Sequence, residues 1–293
     1  MKKVAIVGLG VMGRPMANNL IAKSYNVVAM DLSARALSQI PGAIAPSAEA
    51  LEGAEAIITM LPEGKDVQSV YEKIVLPGAP AHSLLIDCST IDIETTEDLA
   101  ARAAERGLDM LDAPVSGGPE AAGQGTLSLM VGGSPEAYAR AGTLLDDMGA
   151  KRSYFGPSGS GQAAKVCHNM IVGITALGVM EGFALADSLG LDLTQFFQLC
   201  SGAAAQSWAL ENRCPIPGVA PATPASNNYA PGFAASLMAK DLRLAKAAAK
   251  ASGQSTPFGT QAADRFTEFS DAGGGHLDFS AIYTSLREQT ERP

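Results

Sequence analysis

The chain has 293 residues, of which 47% are hydrophobic and 17% charged, with a formal net charge of -9. That is enough length for two domains with large cores, and the acidic balance argues against nucleic acid or an anionic membrane surface as partner. The four cysteines (Cys88, Cys167, Cys200, Cys214) form no C-x-x-C pair and the three histidines (His82, His168, His276) lack metal-ligand spacing, so a reducing compartment and no metal site are expected.

Met1-Lys2-Lys3 before an apolar run imitates a signal peptide. Glycines and Arg14 interrupt that run, and no small-residue cleavage site follows, so none is expected. Val4-Ala5-Ile6-Val7 reads as a strand and runs into Gly8-Leu9-Gly10-Val11-Met12-Gly13, which opens a helical segment. A second apolar run, Val27-Val28-Ala29-Met30, ends in Asp31. Strand, glycine turn, helix, strand and acid together form the dinucleotide fingerprint, rather than a chance glycine turn. Gly8 permits the tight turn, Gly10 lets backbone approach a pyrophosphate, and Gly13 lets helix pack on strand. The free N–H groups of Leu9, Val11 and Met12 suit an anion at the helix start. Asp31 stands where a carboxylate accepts hydrogen bonds from the adenosine ribose hydroxyls and repels a 2′-phosphate. The cofactor reading is NAD rather than NADP.

Farther on, Ser33 to Gln39 reads as a short helix and Ala56 to Met60 as a buried strand, followed by Leu61-Pro62. Val67 to Ile74 is helical, and Leu84 to Cys88 is a strand with Ser89-Thr90 at its end. Ile93 to Arg106 is a helix ended by Gly107. Asp109 to Ala113 is a strand leading into Pro114-Val115-Ser116-Gly117-Gly118. Leu127 to Val131 is a further strand and Pro135 to Met148 a helix. Alternating strands and helices predict an α/β, doubly wound parallel sheet of the Rossmann type over residues 1–161.

At Gly156 to Gly161 the character changes. Gln162 to Leu189 reads as one long apolar helix, small-residue-rich at Gly173, Ala176, Gly178 and Gly182 for close helix packing. Its longest apolar stretch, Met170 to Met180, falls short of the ~20 residues of a membrane span. Helical segments follow at Asp192 to Cys200, Ala234 to Ala251 and Thr256 to Ser270. Cys214 to Pro231 reads as a proline-rich loop, and Gly273-Gly274-Gly275 as a turn before a short last helix. No strand is expected after about residue 156, so residues 162–293 should form an all-helical domain that begins with the long helix.

Ser116, Gly117 and Gly118 follow a strand and offer a hydroxyl and backbone N–H groups to a carboxylate. A plain turn explains the same spacing. Lys165, His168 and Asn169 sit in the first turns of the long helix, with Lys165 and Asn169 on one face. Lys165 is a candidate base, against the commoner fate of a snorkelling lysine. An unperturbed lysine titrates at about 10.4, and burial beside a cationic nicotinamide should lower that value. His168 could face the same way or be a satisfied structural histidine. Arg243, Lys246 and Lys250 read as a solvated stripe, and Trp208 as more often core than ligand contact.

These segments in this order resemble the β-hydroxyacid dehydrogenase family. The resemblance rests on Gly8 to Gly13, Met60-Leu61-Pro62, Asp87-Cys88-Ser89-Thr90, Asp112 to Gly118, Gly159 to Asn169, Met238 to Leu242 and Asp278-Phe279-Ser280, and so covers the whole chain. It implies Lys165 as the catalytic lysine, with Ser116, Gly117, Gly118 and Asn169 holding a small carboxylate substrate and its hydroxyl. It implies Leu61, Pro62 and Thr90 at the NAD, Phe233 and Lys240 at the nicotinamide, and Asp241 supporting Lys240. It also implies an oligomer, a homodimer or homotetramer. The residues themselves, without a signal peptide or membrane span and with an acidic balance, predict a chain in the cytoplasm with no nucleic acid or membrane as partner. The segment Trp208 to Pro215 resembles the substrate-domain loop, where relatives carry tyrosine in place of Arg213. A cation there favours a more acidic substrate or else pairs with Glu211 at the surface. His168 resembles the 6-phosphogluconate branch. The activity implied is NAD-dependent oxidation of a small 3-hydroxy acid, with 3-hydroxyisobutyrate first, L-serine or reduction of a related semialdehyde next, and a non-catalytic NAD-sensing module as the reading from another class.

Overall fold

A computed structural model describes residues 1–290, in two compact units that divide at Lys165 and Val166. The first unit is built on one sheet. Its strands are β1 (Lys3–Val7), β2 (Asn26–Met30), β3 (Ala56–Thr59), β4 (Leu84–Asp87), β5 (Asp109–Asp112), β6 (Val115–Ser116), β7 (Leu127–Gly132) and β8 (Gly149–Gly156). The order is β2-β1-β3-β4-β5-β7-β6, with β8 also on β7. Strands β1 to β5 pair in parallel, from Val7 beside Met30 to Asp87 beside Asp112. The chain reverses its direction of winding at β1, so the carboxyl ends of β1 and β3 flank the position where such sheets bind ligands.

Two features depart from an all-parallel reading. β7 runs antiparallel to β5 and β6. β8, Gly-Ala-Lys-Arg-Ser-Tyr-Phe-Gly, is a strand that the sequence did not announce. It lies largely exposed on β7 with two register shifts, and so carries no apolar alternation to betray it.

Both faces of the sheet are buried, and the period of two sorts its residues. Val4, Ile6, Ile58 and Ile86 join one core with α1 (Gly13–Ala22) and α7 (Pro135–Met148), while α2 (Ala34–Leu37) is a single half-exposed turn whose Ala36 and Leu37 pack against that core. Ala5, Val7, Ile57 and Leu85 join the other core. That core is covered by α3 (Gly64–Val70), the π-helical turn Tyr71–Val75, α4 (Leu76–Gly78) and α5 (Ile93–Ala104). α6 (Gly118–Gln124) follows the Ser116-Gly117 turn.

The helix α8 (Ser160–Ser188) starts in the first unit and continues into the second. With α9 (Leu193–Ser201), α10 (Trp208–Arg213), α11 (Ala235–Ser252), α12 (Pro257–Asp271) and α13 (Ile282–Thr290) it makes the second unit helical, as expected. Ala176, Met180 and Phe183 pack with Met238, Leu242, Phe266 and Phe279. Gly173 lets α11 approach, since a Cβ there would stand 2.8 Å from Leu242 Cδ2. Gly178 and Gly182 serve no such packing and face open space. By length and composition α8 could cross a membrane, with an 18-residue window of mean hydropathy 1.6. The length argument from Met170 to Met180 therefore does not hold for the helix as a whole. Its buried residues show instead that it forms part of the core of the second unit.

Candidate active site

The glycine turn divides its labour in a way that can be read atom by atom. Gly8 has φ +100°, and a Cβ there would stand 2.3 Å from the Met60 carbonyl oxygen. A Cβ on Gly13 would stand 1.9 Å from the Gly8 carbonyl oxygen. These two glycines are demanded by the fold. Gly10 is exposed, and a Cβ there would meet nothing within 4 Å. Its smallness leaves an open cradle, lined by the exposed Val11 and the partly buried Met12, of the kind a pyrophosphate fills.

Asp31 stands at the end of β2 and is already oriented. Its Oδ2 accepts from the Leu9 N–H at 2.6 Å and its Oδ1 from the Ser33 N–H at 2.7 Å. The carboxylate thus joins the glycine turn to the loop after β2, and its two oxygens retain lone pairs that can accept from ribose hydroxyls. This donor and acceptor set fits a dinucleotide without a 2′-phosphate.

At the ends of β3 and β4 a buried network holds the Leu61-Pro62 loop. The Leu61 N–H donates to Ser89 Oγ at 2.9 Å, and the Ser89 hydroxyl donates to Asp87 Oδ1 at 2.6 Å. The Thr59 hydroxyl donates to the same oxygen at 2.7 Å. Burial pushes the Asp87 carboxyl up to about 6, and the Ser89 and Thr59 bonds oppose that shift. Thr90 is partly buried beside this network. Asp87 was legible only as the first letter of a motif. Nothing in its spacing showed that it would be the anchor of the loop.

Ser116 ends β6 and is partly buried. Gly117 (φ +135°) precedes α6, and Gly118 (φ +76°) opens it with room around its α-carbon. The three therefore place a hydroxyl and amides at a helix start.

Lys165 is 7% exposed, so the snorkelling alternative is excluded. Asn169 follows four residues later on α8 and is 2% exposed. Within the second unit its amide donates to Asp241 Oδ2 at 2.5 Å, and its carbonyl oxygen lies 2.8 Å from His168 Nδ1. Asp241 also lies 3.2 Å from Lys240 Nζ. Its Oδ1 forms no well-aligned hydrogen bond, so that contact is a close ion pair. His168, Asn169, Asp241 and Lys240 thus form one chain of contacts, and the expected support of Lys240 by Asp241 is present as this pair.

Arg213 lies elsewhere than the surface pairing with Glu211 that the sequence allowed. It does not pair with Glu211, which instead accepts from Gln206. Its guanidinium is 17% exposed, 3.4 Å from the fully buried Asp278, 5.0 Å from the Trp208 ring centroid and 5.8 Å from that of Phe279. Asp278 also accepts from the Gly232 and Phe233 amides at 3.1 and 3.0 Å. Burial lowers the guanidinium from its ordinary value, and Asp278 opposes the shift. Trp208 is no core residue: it is 50% exposed and serves as the platform for Arg213. Phe233 is partly buried, edge-to-face with Phe279 at 5.8 Å. Asp278 was missed as an organising residue, although Asp-x-Ser before a helical segment is a capping signal.

Known proteins match the chain along both of its halves. The family model described as the NAD binding domain of 6-phosphogluconate dehydrogenase matches residues 3–156. The model described as the NAD-binding domain of NADP-dependent 3-hydroxyisobutyrate dehydrogenase matches residues 159–286. The second match lies outside the segment that contains Asp31, so its wording does not bear on the 2′-phosphate. The chain is 43% identical over 295 residues to the 3-hydroxyisobutyrate dehydrogenase of Pseudomonas aeruginosa, covering 98% of this chain and 99% of that one. It is 40% identical over 289 residues to the NAD-dependent L-serine dehydrogenase of the same organism, covering 96% and 97%. The structure of Mycobacterium tuberculosis 3-hydroxyisobutyrate dehydrogenase with L-serine superposes with a TM-score of 0.91 at 39% identity, over 98% of this chain and 99% of that one. Matched along both halves by family models and full-length relatives, the chain belongs to the 3-hydroxyisobutyrate dehydrogenase family of NAD-dependent oxidoreductases.

Proposed function

We propose that the protein oxidises 3-hydroxyisobutyrate to methylmalonate semialdehyde with NAD. The observation that carries the reading is the buried Lys165 near the start of α8, ahead of an Asn169 held by Asp241. NAD, when bound, supplies the hydride acceptor at nicotinamide C4. The Lys165 amine takes the proton of the substrate hydroxyl. Asn169 holds that hydroxyl, and Ser116 with the Gly117 and Gly118 amides holds the carboxylate. His168 fixes the Asn169 amide by its own contact. To Leu61, Pro62 and Thr90 we assign the cofactor, to Phe233 and Lys240 the nicotinamide, and to Trp208 and Arg213 a part in substrate choice. For Arg213 that part is indirect, through Asp278 and the Phe233 amide it accepts from.

L-serine is the second reading. A relative named for it and a neighbouring structure with L-serine favour it. We place the enzyme in the cytoplasm, as four free cysteines and a small polar substrate support. We also assign it a homodimer or homotetramer, supported by Ile171 and Leu185, which stand 64% and 60% exposed on α8.

The test is a panel of 3-hydroxyisobutyrate, L-serine, glycerate and longer 3-hydroxyacids, each with NAD. The highest kcat/KM is expected with 3-hydroxyisobutyrate. Tight NADH binding without turnover of any member would return the chain to an NAD-sensing role.

A further inference from the structure

The start of α8 is bound to the ends of two strands by side chains that the proton-transfer scheme does not use. Asp112 is the last residue of β5 and is 1% exposed. Its Oδ1 accepts from the Gly159 N–H at 2.9 Å and its Oδ2 from the Gln162 N–H at 2.9 Å. Amides at a helix start have no acceptor within the helix. A side chain close by in sequence commonly supplies one, but here it comes from 47 and 50 residues upstream. The carboxylate also places negative charge at the positive end of a long helix.

The backbone is cut back to let it in. A Cβ on Gly132 would stand 2.5 Å from Asp112 Oδ1. A Cβ on Gly161 would stand 2.8 Å from its Oδ2 and 2.4 Å from the Met130 carbonyl oxygen. A second clasp runs the other way. The Gln162 side-chain amide donates to the Ser89 carbonyl oxygen at 2.8 Å, and its oxygen accepts from the Ile91 N–H at 3.2 Å. Gln162 and Ser89 are fully buried. A helix repeats every 3.6 residues, so Lys165, three residues after Gln162, lies on nearly the same side of α8. A stiff helix carries any shift or rotation at its start directly to that residue.

We propose that Asp112 and Gln162 are positioning residues for Lys165. They fix the rotation and axial position of α8 against the ends of β5 and β4, and so the point at which the amine takes a proton. This rests on Lys165 being the proton acceptor.

The test is a double-mutant cycle on the intact enzyme. Asp112→Asn keeps one acceptor and turns an NH2 toward the other helix amide. It should lower kcat by roughly 10- to 100-fold, as expected for a displacement on the order of 1 Å, while substrate KM and the NADH dissociation constant change by less than about 3-fold. In a Lys165→Ala background the same change should alter kcat by less than about 2-fold, because residues that act as a unit are not additive. An equal factor in both backgrounds, or a loss confined to KM or NADH affinity, overturns the proposal. If Asp112→Asn does not fold, Gln162→Met leaves the carboxylate in place, removes the second clasp and goes through the same cycle, with the same results expected and the same results contrary. Parental turnover in Lys165→Ala alone would overturn the underlying proton-transfer reading, and that arm shows it separately.

Discussion

At the scale of the residue, three glycines in one turn answer to different masters. Gly8 and Gly13 are pinned by backbone oxygens 2.3 and 1.9 Å from where a Cβ would go, whereas nothing crowds Gly10. Gly13→Ala should therefore lose more than about 3 kcal/mol of stability or fail to fold, because backbone cannot yield as a side chain can. Gly10→Ala should keep the parental Tm of the ligand-free protein and weaken NADH by about 10-fold or more, since the added methyl meets only the pyrophosphate. A Gly10→Ala protein that binds NADH normally would show that the cradle is not the cofactor site. We assign the choice between cofactors to Asp31. With its two oxygens already oriented by the Leu9 and Ser33 amides, kcat/KM should strongly favour NAD over NADP, and parity would contradict the assignment. Both the glycine pattern and Asp31 were legible in the sequence because their context of strand, turn and helix is itself sequential.

Elements are held by acids that the sequence left unread. Asp87 under the Leu61 loop, Asp112 under α8 and Asp278 under the Phe233 loop each gather hydrogen-bond donors from distant segments. Sequence reasoning placed α8 and α11 within about two residues, since their apolar faces repeat along the chain. It could not see that Gln162 spans to Ser89 and Ile91, or that Arg213 turns inward to Asp278, because those partners lie 71–73 and 65 residues away. It missed β8 for the related reason that a largely exposed strand carries no apolar alternation. The Arg213 ion pair makes a stability prediction. Arg213→Leu leaves a buried carboxylate without its cation, a change that costs about 3–5 kcal/mol when nothing else compensates. The amide donors to Asp278 keep the expectation at about 3 kcal/mol, read by denaturant unfolding. A loss below about 0.5 kcal/mol would mark Arg213 as a surface cation after all.

Over the whole molecule, stability should carry the signature of the buried Asp87. Its carboxyl is raised to about 6 in the folded protein by burial, against about 3.9 in an unfolded chain. The folded state therefore holds this proton more tightly. The contribution is favourable below about pH 4, declines as pH rises through about 4 to 6, and stays reduced above, by up to about 3 kcal/mol. Asp87→Asn lacks that decline, so its Tm relative to the parent should rise from pH 4 to pH 7, and a flat difference would contradict the shift. The two-unit plan and the parallel core of the sheet were legible from alternating motifs. The antiparallel turn of β7 was not, because pairing direction leaves no mark on a short apolar run. The proposed chemistry depends on one amine. Single-turnover oxidation of the best panel substrate by Lys165→Ala, alongside NADH titration, tests it most directly. The rate should fall by about 10²–10⁴-fold, the worth of a positioned base, with the NADH dissociation constant close to the parent's. Near-parental turnover would contradict it, whichever 3-hydroxy acid the panel selects.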